Sequence, residues 1–130
     1  MALPEPGATA WAKRVFTQDE YDRFAALTGD DNPIHVDAEF SARAAFGRPV
    51  AHGMFLYSCL CGLMDEAFPG LVQERQELMF PAPTFTGEEM TLSAEVAAVE
   101  AGRATVGLRI TGPDGTVTLK DASGHPVPLG

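Results

Sequence analysis

The run Met54-Phe55-Leu56-Tyr57-Ser58-Cys59-Leu60-Cys61-Gly62-Leu63-Met64 decides the architecture of this chain. It carries no charge, and Asp65 and Glu66 close it before Phe68-Pro69-Gly70 stops the helix. On a helix from Met54 to about Ala67, Phe55, Leu56, Tyr57, Leu60, Leu63 and Met64 cover every side. A helix that is apolar all round must be wrapped by other structure rather than laid on a surface. The run falls well short of the ~20 apolar residues a bilayer span requires. It predicts a central, buried helix.

Downstream the pattern turns to β. Leu92, Ala94 and Val96 alternate with more polar neighbours, and Ala101-Gly102 offers a turn. Ala104, Val106, Leu108 and Ile110 then alternate against Arg103, Thr105, Arg109 and Thr111. Gly112-Pro113-Asp114-Gly115 predicts a second turn, and Val117 to Ser123 a last, rather polar strand. Glu77 to Phe80 predicts one more, ended by Pro81 and Pro83. Upstream, Thr17-Gln18-Asp19-Glu20 is a capping box that opens a helix through Tyr21, Phe24, Ala25 and Thr28, closed by Gly29. Asn32-Pro33 marks a break. Asp37 caps a short helix through Ala38, Phe40 and Ala44, closed by Gly47. A helical first half and an antiparallel meander predict an α+β fold, a curled sheet around one central helix. Such a sheet leaves an edge, which a second copy often covers. Neither an internal repeat nor a linker interrupts residues 1–130, so a single domain is expected.

Composition agrees. A chain of 130 residues has the length of one domain and buries roughly 65–70% of its unfolded surface. With 45% hydrophobic and 21% charged residues it is of the globular class. A net charge of −9 argues against nucleic acid as a partner, since phosphate backbones need a clustered basic surface. A small phosphate-bearing ligand needs only two or three cations, and seven of the nine here are Arg, suited to bidentate phosphate contacts. Cys59 and Cys61 stand two apart, cannot bridge each other on a helix, and have no second pair for a metal site. Reduced thiols fit a cytoplasmic protein. Met1 to Arg14 holds Pro4, Glu5, Pro6 and Gly7 and no apolar core of a signal peptide.

Two clusters hold the polar residues best placed for chemistry. Gly29-Asp30-Asp31-Asn32-Pro33-Ile34-His35 gathers two carboxylates and an imidazole in a loop after a helix. Arg48-Pro49-Val50-Ala51-His52-Gly53 immediately precedes the central helix, whose first N–H groups and dipole favour negative charge. Asp and Asn are also common turn residues, and a lone histidine is often simply packed.

Taken together, the two clusters resemble the MaoC-like, (R)-specific enoyl-CoA hydratase family. That family's pattern is Gly-Asp-x-Asn-Pro-x-His, with a later His-Gly-Met opening a central helix, matched here by His52-Gly53-Met54. Phe80-Pro81-Ala82-Pro83-Thr84-Phe85-Thr86-Gly87-Glu88 is similar to the family's strand-end motif, Pro-x-x-x-Gly-Asp/Glu. The likeness covers about residues 15–120. It implies a hotdog fold, pairing into a homodimer, and hydration of trans-2-enoyl thioesters to (R)-3-hydroxyacyl thioesters, or the reverse.

The likeness carries Asp30 and His35 over as the catalytic pair. The Gly53 N–H becomes the donor to the thioester carbonyl, and Asn32 the shaper of the loop. Cys61 falls where the family often has a small polar residue, a candidate for lining the pocket, although free Cys is commonly a packed hydrophobe. His52 is read as structural, holding the loop. Arg43, Arg48, Arg75, Arg103, Arg109 and Lys120 are unranked candidates for the phosphates of CoA or a carrier-protein arm. No metal or cofactor is expected beyond the CoA or phosphopantetheine of the substrate, and neither nucleic acid nor membrane is an expected partner. Two rivals remain: a hotdog thioesterase, for which the central helix offers only Asp65 and Glu66 at its far end, and a non-catalytic acyl-binding partner subunit.

Overall fold

A computed structural model describes residues 3–121 and the backbone of 127–129. It opens with a strand that the sequence pattern conceals, β1 (Thr9–Val15). The large apolar side chain of β1, Trp11, faces solvent, while small Ala10 and Ala12 turn inward. Alternation is present, but its hydrophobic half is made of alanines.

Helix α1 (Gln18–Thr28) begins as expected. The Thr17 hydroxyl accepts from Glu20 N–H, the Glu20 carboxylate accepts from Thr17 N–H, and Gly29 ends the helix at φ 81. Asn32-Pro33 does break the chain, but it also starts a helical turn, α2 (Pro33–Val36). Pro33 sits at the first position, where its missing N–H costs nothing, and the Asn32 side chain accepts from Ile34 N–H. The Asp37-capped helix, α3 (Ala38–Ala42), is shorter than predicted, and the chain turns through Gly47 at φ 76.

The central helix is α4 (Gly53–Ala67). After it come β2 (Leu78–Met79), β3 (Glu89–Glu100), β4 (Arg103–Thr111), β5 (Val117–Asp121) and β6 (Val127–Leu129). The strands form one antiparallel sheet in the order β1-β3-β4-β5-β2, with β6 also pairing with β4. The sheet thus takes in residues on both sides of the stretch 15–120. Ala122 and Ser123, expected to finish the last strand, lie outside the described residues. Ala101 and Gly102 both have positive φ and make the tight β3–β4 turn.

Leu92, Ala94 and Val96 of β3 and Val106, Leu108 and Ile110 of β4 form one buried cluster with Leu56, Leu60 and Met64 of α4. Each large side chain so buried contributes about 1.5–3 kcal/mol. Wrapping on every side is the expectation this chain does not meet. One sheet covers one side: Phe55, Tyr57, Cys59, Cys61 and Leu63 are half-buried, and Met54 is 60% exposed. Helix α4 is central, with its outer face bare in a single copy. Among the described residues, no helix is long and apolar enough to cross a membrane.

Candidate active site

The two polar clusters of the sequence are stitched together at the start of α4. Val50 N–H donates to the Ile34 carbonyl at 3.0 Å, and His35 Nδ1 lies 2.8 Å from the Val50 carbonyl. His52 Nε2 lies 2.8 Å from the Asp30 carbonyl. From the other side, Thr84 accepts on its carbonyl from Ala51 N–H at 2.9 Å and from the buried Tyr21 hydroxyl at 3.2 Å. Burial raises the Tyr21 pKa, which keeps it a neutral donor.

A carbonyl only accepts, so these contacts fix both histidine tautomers. His35 carries its proton on Nδ1 and leaves the Nε2 lone pair open. His52 carries its proton on Nε2, and its buried Nδ1 has no partner among the described residues. The two rings stack with centroids 3.9 Å apart and planes 27° apart. Phe24 lies against His52 at 4.8 Å. Burial lowers the His52 pKa, with the hydrogen bond to the Asp30 carbonyl opposing.

Asp30 is exposed at the side chain and pinned at the backbone. Its N–H donates to Thr28 Oγ1 at 3.2 Å, and its carbonyl accepts from His52. Asp30, His35 and His52 each present one atom within 4.8 Å of the others. Such a set could be offered to a metal ion. The near-parallel imidazole planes, however, keep the free lone pairs from meeting on one ion at the ~2.0–2.1 Å a histidine ligand needs. The arrangement suits proton transfer instead.

A cleft of about 490 Å³ opens beside Asp30, bounded by Val50, Gly53, Met54, Phe80 and Thr84. Among the described residues no side chain caps the start of α4, which leaves its first N–H groups open at the positive end of the helix. A Cβ on Gly53 would stand 2.6 Å from Cζ of Phe80, whose ring lies against the glycine. A larger residue here would have to push the Phe80 ring or the helix start aside.

Asp30, His35 and Gly53 therefore come together at one place, with Asn32 capping the turn that holds His35. Cys61 does not join them. It lies eight residues along α4 from Gly53, a rise of ~12 Å, and its Sγ accepts from Gln73 Nε2 at 3.3 Å. It is half-buried and outside the cleft. Thr28, Phe80 and the cleft-lining Thr84 were not among the sequence candidates. The signal for Thr28 was its place two residues before Asp30; Phe80 and Thr84 stand in the strand-end motif already quoted. Of the phosphate candidates, Arg43, Arg48, Arg75 and Arg103 are paired with Glu39, Glu88, Glu77 and Glu74 respectively.

Residues 4–113 match the family described as the MaoC like domain. The chain belongs to the MaoC-like domain family. An (R)-specific enoyl-CoA hydratase of Aeromonas caviae is 38% identical over 119 residues, covering 88% of this chain and 89% of that protein. A 3-hydroxybutyryl-CoA dehydratase of Methylorubrum extorquens is 35% identical over 95 residues, covering 72% of this chain and 60% of that protein. In three dimensions the chain is similar to the (R)-hydratase from A. caviae involved in PHA biosynthesis. The TM-score is 0.85, with 36% identity, over 90% of this chain and 92% of that one. The MaoC-like hotdog arrangement implied by the sequence is the fold of this protein.

Proposed function

We propose that this MaoC-like chain, a single domain, reversibly hydrates trans-2-enoyl thioesters to (R)-3-hydroxyacyl thioesters. The observation that carries the reading is His35, its Nδ1 tied to the Val50 carbonyl and a ring nitrogen within 4.8 Å of an Asp30 carboxylate oxygen, at the uncapped start of α4. Carboxylate and lone pair are both acceptors, so a water between them donates to each. Its oxygen adds to the β-carbon, and the proton it loses passes through the pair to the α-carbon. Negative charge grows on the thioester oxygen meanwhile, and the Gly53 N–H meets it. Asp30 and His35 approach from one side, which gives syn addition. Asn32 supports the pair by capping α2.

The thioester is carried by CoA or a carrier-protein arm and no other cofactor takes part. The protein works in the cytoplasm as a homodimer, whose second copy covers the bare face of α4. The purified chain should remove the enoyl absorbance of crotonyl-CoA and give (R)-product by chiral analysis. Acyl-CoA hydrolysis without hydration, or predominant (S)-product, overturns the assignment.

A further inference from the structure

The histidine that precedes Gly53, read from the sequence only as a structural residue of the loop, contacts both members of the acid–base pair. His52 is 2% exposed, bonds the backbone of Asp30, stacks on His35 and is the residue from which α4 starts. We propose that His52 is a positioning residue for the acid–base pair, holding Asp30 through its carbonyl and His35 through ring stacking, in the neutral Nε2–H form.

Among the described residues, two contacts fix the backbone under the Asp30 carboxylate, Thr28 Oγ1 on the N–H and His52 on the carbonyl. Without the second bond, the carboxylate can rotate away from the His35 ring. The stack works at right angles to this bond. His35 Nδ1–H is tied in the plane of its ring to Val50, and the His52 face stops the ring tilting out of that plane.

Charge decides the protonation state. Protonating Nδ1 of His52 would place a donor where no described group accepts, and a positive charge against the face of His35. The titratable groups around it are Asp30 and His35 from the loop and α2, and Tyr21 from α1; Phe24 fills the remaining side. Neutral His52 leaves His35 free to take up a proton during turnover.

This inference rests on the hydratase reading, and two substitutions separate its parts. His52→Phe keeps a ring and loses the donor; His52→Gln keeps a donor and loses the ring. With crotonyl-CoA, His52→Phe should lower kcat about 10- to 100-fold with KM within about threefold, the scale of a slightly misplaced group. His52→Gln should recover most of that kcat, with the acid limb of its kcat–pH profile displaced. Wild-type kcat in His52→Phe overturns the proposal. So does a loss of kcat that follows the folded fraction while the pH limb stays in place, which marks a merely structural residue.

Nuclear magnetic resonance gives a readout independent of activity. Wild-type His52 should appear as the Nε2–H tautomer, and an Nδ1–H tautomer overturns the proposal even if His52→Phe fails to fold. The Asp31 amide, on the far side of the Asp30 carbonyl, should shift in His52→Phe and return in His52→Gln. A wild-type chain that passes these tests but does not hydrate crotonyl-CoA would overturn the hydratase reading and leave the contact itself established.

Discussion

At the start of α1 the Thr17 hydroxyl accepts from Glu20 N–H while the Glu20 carboxylate accepts from Thr17 N–H. At the start of α4 no side chain does either, because the N-cap residue, His52, turns its ring to Asp30 instead. Both helices begin near the same site, and both have orphan N–H groups to satisfy. The first answers that need from within, which fixes where the helix starts. The second leaves it unanswered beside an apolar cleft, where only a ligand with a partly negative oxygen would answer it. One start is spent on stability and the other is kept for binding.

The largest effects should come from what faces the open start. Asp30→Asn and His35→Ala should each lower kcat by roughly 10²–10⁴ while the fold survives, since both side chains stand outside the core cluster. Asp31→Asn should stay within about tenfold, because Asp31 is exposed and absent from the cleft. Steady-state kinetics with crotonyl-CoA checks all three. An inactive Asp31→Asn beside an active Asp30→Asn would move the register of the loop.

Gly53→Ala attacks the open start itself. The new Cβ would meet the Phe80 ring at 2.6 Å, so either the ring or the helix start must move. Displacing the carbonyl donor by even ~1 Å should lower kcat/KM about 100-fold. Thr17→Ala attacks the closed start and should do the opposite. Loss of an N-cap costs about 0.5–2 kcal/mol of stability, read as a lower urea midpoint, with kcat unchanged. If Thr17→Ala damaged turnover while Gly53→Ala did not, the contrast between the two helix starts would be wrong.

Both starts were legible in the sequence, for different reasons. The capping box at Thr17 is local chemistry, visible in four residues, and the open start was reached through motif resemblance at His52-Gly53-Met54. The β hairpin of β3 and β4 was legible because its inward positions are Leu, Val and Ile. Strand β1 was not, because its inward positions are alanines and its Trp faces out. Cys61, a candidate for lining the pocket, stands apart from this cleft for a geometric reason: helical rise carries it along α4, which a motif position does not express. The aim of the His52 ring, the stack on His35 and the Phe80 contact with Gly53 depend on how three separated segments pack, so no single stretch announces them.

The smallest expected effect separates the two starts by pH. Unfolded, His52 takes up a proton at the ordinary imidazole value of 6.5; folded, burial holds its pKa below that. Between the two values the unfolded chain binds more protons, so this histidine makes stability rise with pH. Its contribution is complete above about pH 6.5 and is lost as pH falls toward the folded value, with no further loss below it. Asp121, raised above 3.8 by burial, acts with the opposite sign, its share falling as pH rises from 3.8. Urea midpoints measured from pH 7.5 down to 5 for the wild type and His52→Gln cancel Asp121 and leave the His52 term. The wild type should lose more stability than His52→Gln across that range. Thr17→Ala should be displaced from the wild type by a constant amount, since its hydroxyl does not titrate. Equal slopes for the wild type and His52→Gln would mean that His52 is as easily protonated in the fold as out of it, and that the residue opening α4 is not kept neutral.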